Sequence, residues 1–135
     1  MEGKYKDFTD LDIWKLGHEI RKDIYKITDK LPKSEEYNLK SQSRRSSCSI
    51  SSNIAEGHGR YHYQENIQYC RQARGSLDET RDHLLAIGGL YENLKDESAI
   101  IINKCLLLKP KINGYISFLV DCKKKKGYNV DEKEI

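Results

Sequence analysis

The chain has no run of about 18 apolar residues, the length a membrane-spanning helix requires, so no membrane partner is expected. It has only two prolines in 135 residues, which leaves room for long, unbroken helices. Its four cysteines, Cys48, Cys70, Cys105 and Cys122, contain no CxxC pair. Metal sites need clustered ligands, which this spacing does not provide, so the cysteines read as reduced thiols acting as small core residues. The opening segment MEGKYKDFTD lacks an apolar core, so no secretory signal is expected and the cytoplasm is the expected location. Period-two alternation, the mark of a strand, does not compete with the helical spacing.

What the chain does have is charge at 33% and hydrophobic residues at 37%, a balance that suits amphipathic helices. Its length fits one domain, able to bury a core without disulfides or metal. Net charge is only +3, but it is unevenly spread. Residues 37–75 hold six basic side chains against Glu56 and Glu65, a balance of +4. Residues 76–105 hold three basic against six acidic, a balance of −3. Residues 106–127 hold six lysines against Asp121, a balance of +5. A folded chain with that distribution can present faces of opposite sign.

Four helical patterns follow one another. Ile13, Leu16, Ile20, Ile24, Ile27 and Leu31 step by three and four, giving one buried seam. Thr9 and Asp12 resemble a capping box, and Leu31-Pro32 closes the pattern because proline disfavours helix at the residue before it. Ser34 is the expected cap of the second helix, with Glu35 and Glu36 in its first turn. The second seam reads Leu39, Ser43, Ser46 or Ser47, Ile50 and Ile54. Gly57 and Gly59 are expected to end it in the left-handed conformation. The third seam reads Ile67, Cys70, Ala73 or Arg74, Leu77, Leu84, Ile87 and Tyr91. Gly75, costly inside a helix, is expected to mark a close helix–helix contact. The fourth, capped by Asp96, reads Ile101, Cys105, Leu108, Ile112, Tyr115, Leu119 and Cys122, and Pro110 inside it is expected to kink or break it. The expected helices are 10–31, 35–57, 62–92 and 96–125. They form an all-α, antiparallel up-down-up-down four-helix bundle over residues 1–127, with a flexible tail at 128–135.

The stretch RRSSCSISSNIAEGHGR, residues 44–60, interrupts this pattern. A phosphate loop needs glycines before Lys-Ser/Thr and a strand upstream; here the glycines follow a helix. A serine nucleophile needs a base and a strained turn; these serines sit at core spacing. Packing remains: small side chains let two backbones approach, and their hydroxyls can bond to the carbonyl four residues earlier.

Those same residues carry a resemblance. Gln42-x-Arg44-Arg45-x-x-x-Ser49-Ile50-x-x-Asn53-Ile54-Ala55-Glu56-Gly57-x-Gly59-Arg60 resembles the signature of the 23S ribosomal RNA intervening-sequence protein family, also called four-helix bundle proteins. Phe8-x-x-Leu11-x-x-Trp14, Tyr25 with Leu31-Pro32, and Gly75-Ser76-Leu77-x-Glu79 resemble its other conserved pieces. Asn53, Glu56, Gly57, Gly75 and Ser76 are then structural motif residues. Ser46 and Ser47 stand where the family usually has two alanines, and His62 where it commonly has a Ser or Thr cap. Members are often encoded inside insertions in large-subunit ribosomal RNA genes. The family is similar to the accessory variability determinant of diversity-generating retroelements, a basic homopentamer that binds nucleic acid and works with a reverse transcriptase. The resemblance therefore implies a homopentamer, RNA or DNA as a partner, and a reverse transcriptase or another protein as a further one.

Lys40, Arg44, Arg60, Arg71 and Arg74 are the candidate phosphate contacts, because guanidinium binds phosphate in a bidentate way without sequence choice. Tyr61, Tyr63 and Tyr69 are candidate stacking surfaces. The plainer reading, pairing with Glu56, Glu65 or Asp78 within the bundle or across subunits, is favoured for Arg45 and Arg74, and the binding reading for Arg44, Arg60 and Arg71. Asn53 and Glu56 read as a structural network, since a buried carboxylate must be paired. His58 and His62 have metal-ligand spacing, but Gly59 between them argues against a continuous helix. Lys123–Lys126 read as a solvated helix end. No nucleophile-base or metal constellation survives, so neither an enzyme nor a cofactor is expected. The expectation is a nucleic-acid-associated bundle; the alternative is a protein-interaction scaffold.

Overall fold

The structure is a computed structural model that describes residues 7–134, with side chains through residue 126. The first six residues of the expected domain, and residue 135, lie outside the described residues. Four helices make an all-α fold: α1 (Asp12–Thr28), α2 (Ser41–His58), α3 (Tyr63–Leu90) and α4 (Lys95–Glu134). There is no strand among the described residues. α1 packs on α2 and α4, and α3 packs on the same two.

The seams meet in one core. Ile20, Ile50, Leu84 and Leu108 are wholly buried, and Ile13, Ile24, Ile27, Ile54, Ile67, Leu77, Ile87, Ile112 and Leu119 join them. Cys70 and Cys105 are buried too, and that burial pushes both thiols up to about 12. They pack as apolar residues. In α3, Thr80 fills the seam between Leu77 and Leu84. Its hydroxyl is hydrogen-bonded at 2.8 Å to Ser46, which is why a polar residue is tolerated there.

The serine-rich α2 packs as expected: Ser43, Ser46 and Ser47 are all fully buried. Ser49 donates to the carbonyl four residues earlier, whereas Ser46 and Ser47 donate to carbonyls three earlier. Gly17 of α1 lies opposite: a Cβ there would stand 3.1 Å from Ile50 Cγ2.

The helix boundaries correct several expectations. α1 ends at Thr28, three residues before Leu31, in a turn where Leu31 N–H donates to the Thr28 carbonyl. The cap near the start is Asp7 with Asp10, around the short turn Phe8–Asp10, and not Thr9 with Asp12. Ser34 is not the cap of α2. A 3-10 turn (Lys33–Glu35) and a wide turn (Glu36–Lys40) precede it. Glu35 holds this junction, accepting from Leu39 N–H, from Asn38 Nδ2 at 3.1 Å and from the Tyr91 hydroxyl.

Gly57 does not end α2. It lies buried inside it, where a Cβ would come within 2.7 Å of Asn66 Oδ1 and 2.9 Å of Tyr69 Cβ. Gly59 is the terminal residue, with φ −78° and ψ −5°, a right-handed conformation open to any residue. Gly75 is no contact within the chain, since a Cβ there meets nothing within 4 Å. Gly88 is one instead: a Cβ there would stand 3.3 Å from Ser98 Oγ. Pro110 does not break α4. Proline and Leu106 are both exposed, so the carbonyl released by the missing N–H faces water. The helix continues to Glu134, across the stretch 128–134 read as tail.

Candidate nucleic-acid interface

The candidate basic residues divide into two groups. Arg44 reaches across to the end of α1. Its Nε donates to Thr28 Oγ1 at 3.0 Å, and its Nη2 donates to the Tyr25 carbonyl at 3.2 Å and to Asp29 at 2.8 Å. The guanidinium also lies 4.3 Å over the Tyr25 ring. The Tyr25 carbonyl already accepts from Asp29 N–H at 3.3 Å, so the guanidinium adds a second donor at the end of α1. Lys40 joins the same corner, 3.6 Å from Asp29 and 3.3 Å from Glu36. Arg45 pairs with Glu79. Arg44 and Lys40, both candidate phosphate contacts, also join the end of α1 to the start of α2.

Arg60, Arg71 and Arg74 lie elsewhere. Arg60 pairs with Glu56 at 2.9 Å, donates to the Tyr69 hydroxyl at 2.8 Å and lies over that ring. Arg71 is exposed, with Gln68 at 3.4 Å. Arg74 donates to Asn113 at 2.7 Å. That last contact fixes which part of α4 lies beside the first half of α3. Lys123 donates to Gln64 at 2.8 Å, and Lys126 stands 5.6 Å over the Tyr63 ring. The segments 60–75 and 109–126 therefore run side by side. Together they hold nine basic side chains (Arg60, Arg71, Arg74, Lys109, Lys111 and Lys123–Lys126) against Glu65 and Asp121. Lys109 is partly neutralised by Asp78 at 2.9 Å. The acidic segment 76–105 occupies the rest of α3 and the start of α4. The sequence shows basic segments at 37–75 and 106–127; that their portions 60–75 and 109–126 run side by side is visible only in the fold.

The motif residues are structural in their contacts. Asn53 Nδ2 donates to the Ser49 carbonyl at 2.8 Å. Glu56 is exposed, not buried, and its partner is Arg60. The Ser76 carbonyl accepts from Thr80 at 2.9 Å. His58 and His62 flank the break after α2. Among the described residues, no three His, Cys, Asp or Glu side chains converge as a metal site.

A cleft of about 230 Å³ opens beside the α2–α3 turn, lined by Arg60, Tyr61, Tyr63, Asn66, Tyr115 and Phe118 among others. Tyr61 is 83% exposed at its edge. Tyr115 and Phe118 sit with ring centres 6.0 Å apart. The sequence pointed to Tyr61 and Tyr63; the two α4 aromatics were hidden because their partner surface is far away in sequence.

Four helices around one seam, with a cationic strip and no helix among the described residues long and apolar enough to cross a membrane, define an all-α bundle protein. No curated protein matches the chain. The pattern of the 23S rRNA-intervening sequence protein family matches residues 9–114, and the chain belongs to that family.

Proposed function

We propose that this protein is a nucleic-acid-associated bundle that binds RNA or DNA phosphates through the strip formed by 60–75 and 109–126. The observation that carries this reading is the juxtaposition of two basic segments, which hold nine cations against two carboxylates of their own, with Glu56 on Arg60 and Asp78 on Lys109 beside them. Such a strip gathers phosphates by counterion release and acts without covalent chemistry. Ion pairs between α1 and α4 support an up-down-up-down order: Lys104 of α4 bonds Asp23 and Glu19 of α1, while Lys30, just past the end of α1, bonds Glu97 at the start of α4. The chain works as a ring of copies, a homopentamer by resemblance to the family, in the cytoplasm, with a reverse transcriptase or other protein as a further partner. Repeating a weak site around a ring multiplies its avidity.

A second reading, an interaction scaffold, draws on a different surface. Leu85, Ile100, Leu106 and Leu107 are each more than half exposed along α3 and α4. These side chains support contact with other protein, and self-association serves both readings.

Binding of labelled RNA across a salt series tests the proposal. Affinity should fall steeply with salt, with a log–log slope of about −0.7 per phosphate neutralised on a single strand. Replacing Arg71, Arg74 and Lys123 by glutamine should flatten the slope by about two units on that basis. No binding at low salt overturns phosphate recognition and leaves the scaffold.

A further inference from the structure

The aromatic cleft at the α2–α3 turn has a composition that phosphate binding alone does not use. Its volume of about 230 Å³ lies below the roughly 300–1,000 Å³ of sites for drug-sized ligands. It suits one planar ring system. Tyr61 stands at the lip, mostly in solvent, with its ring edge-to-face against His62 at 4.8 Å. On the α4 side Tyr115 and Phe118 present rings inclined by only 26°. Asn66, 8% exposed, also lines the cleft; its Oδ1 accepts from Cys70 Sγ at 3.6 Å, and an amide is a group that pairs with base edges. Arg60 lines the same cleft, and Lys123 lies one element away through its bond to Gln64.

A ligand with a flat apolar face, polar edges and a neighbouring negative charge is a nucleotide unit. We propose that this cleft receives one unpaired nucleobase of a single-stranded nucleic acid, stacked on Tyr61 and Phe118, while the adjoining phosphates run along the basic strip. The inference rests on the phosphate-binding reading and adds to it a preference for single strands. Duplex bases are stacked inside the helix and cannot enter; splayed bases on aromatic side chains are the common mode of single-strand recognition.

The test compares a short labelled oligouridylate with an abasic ribose-phosphate oligomer of equal length, titrated into the full chain at low salt. The base-bearing oligomer should bind about tenfold tighter, from the contribution of a stacked base. Tyr61→Ala should remove that difference and leave the abasic affinity unchanged; the exposure of Tyr61 keeps the substitution out of the core. Phe118→Leu, which keeps apolar volume but loses the ring face, should reduce the difference in the same direction. Equal binding of both oligomers by the unaltered chain overturns the cleft and spares the strip. Binding of neither overturns both. A difference that survives both substitutions overturns the cleft as its source.

Discussion

Gly57 and Gly75 are both interior helix glycines, and the structure separates them. Alanine at position 57 must push against Asn66 Oδ1 and Tyr69 Cβ, both inside 3.0 Å. Overpacking of this kind costs about 1–3 kcal/mol, and the gain of about 1 kcal/mol in helix propensity offsets only part of it. Gly57→Ala should therefore lose up to about 2 kcal/mol in urea unfolding. Gly75→Ala meets open space and should gain about 0.5–1 kcal/mol. Equal effects at the two sites would contradict the tight α2–α3 contact. From the sequence the two are assigned the other way round, Gly57 to the end of α2 and Gly75 to the close contact. Spacing within a helix identifies a glycine, and only the neighbouring helix decides whether its missing side chain is needed. The serines were more legible, because a run of small residues at core positions has few uses other than close packing.

The element whose start departs most from expectation is α2. Its regular part begins at Ser41, after a wide turn held by Glu35 against Tyr91. The Tyr91 hydroxyl first, then Leu39 N–H and Asn38, hold the Glu35 carboxyl below its ordinary value of 4.5. A carboxylate whose pKa is lowered by folding contributes stability above its ordinary value and loses it as pH falls through the lowered one. Stability followed by circular dichroism should thus decline in acid below pH 4.5. Tyr91→Phe should start less stable at neutral pH and show a smaller acid decline. Parallel titration curves for the two proteins would remove Glu35 as the junction's clamp. Nothing local to residues 34–40 signals this arrangement, since the decisive partner lies 56 positions away. Pro110 shows the converse: its local rule predicts a kink or a break, and α4 runs through it unbroken with Pro110 on its exposed side.

At the scale of the whole molecule, two surfaces remain after the core is accounted for. One is the cationic strip with its cleft; the other is the apolar outer face of Leu85, Ile100, Leu106 and Leu107. Isolated exposed leucines are ordinary, but Ile100 and Leu107, seven residues apart, lie on one face of α4, and exposed apolar residues grouped on a face are a feature of association surfaces. Sedimentation of the unaltered chain should report an oligomer, at the pentamer a mass near five times 15.7 kDa. Leu106→Lys with Leu107→Lys should shift it toward the monomer without loss of helical signal, because both side chains lie outside the core. A monomer from the unaltered chain at high concentration would exclude the ring. A shift in mass accompanied by unfolding would mean instead that this face stabilises the single chain.

The sequence by itself determined four helices, their seams and the family to which the chain belongs. Those follow from a period of three and four residues and from a motif, both local along the chain. It also showed two basic segments separated by an acidic one. Tertiary structure alone decided that Arg44 and Lys40 serve the α1–α2 corner, while 60–75 meets 109–126 to form one strip. The reason is that charge acts through space: which cations share a surface depends on how neighbouring helices align, and that alignment is set by the core they bury together.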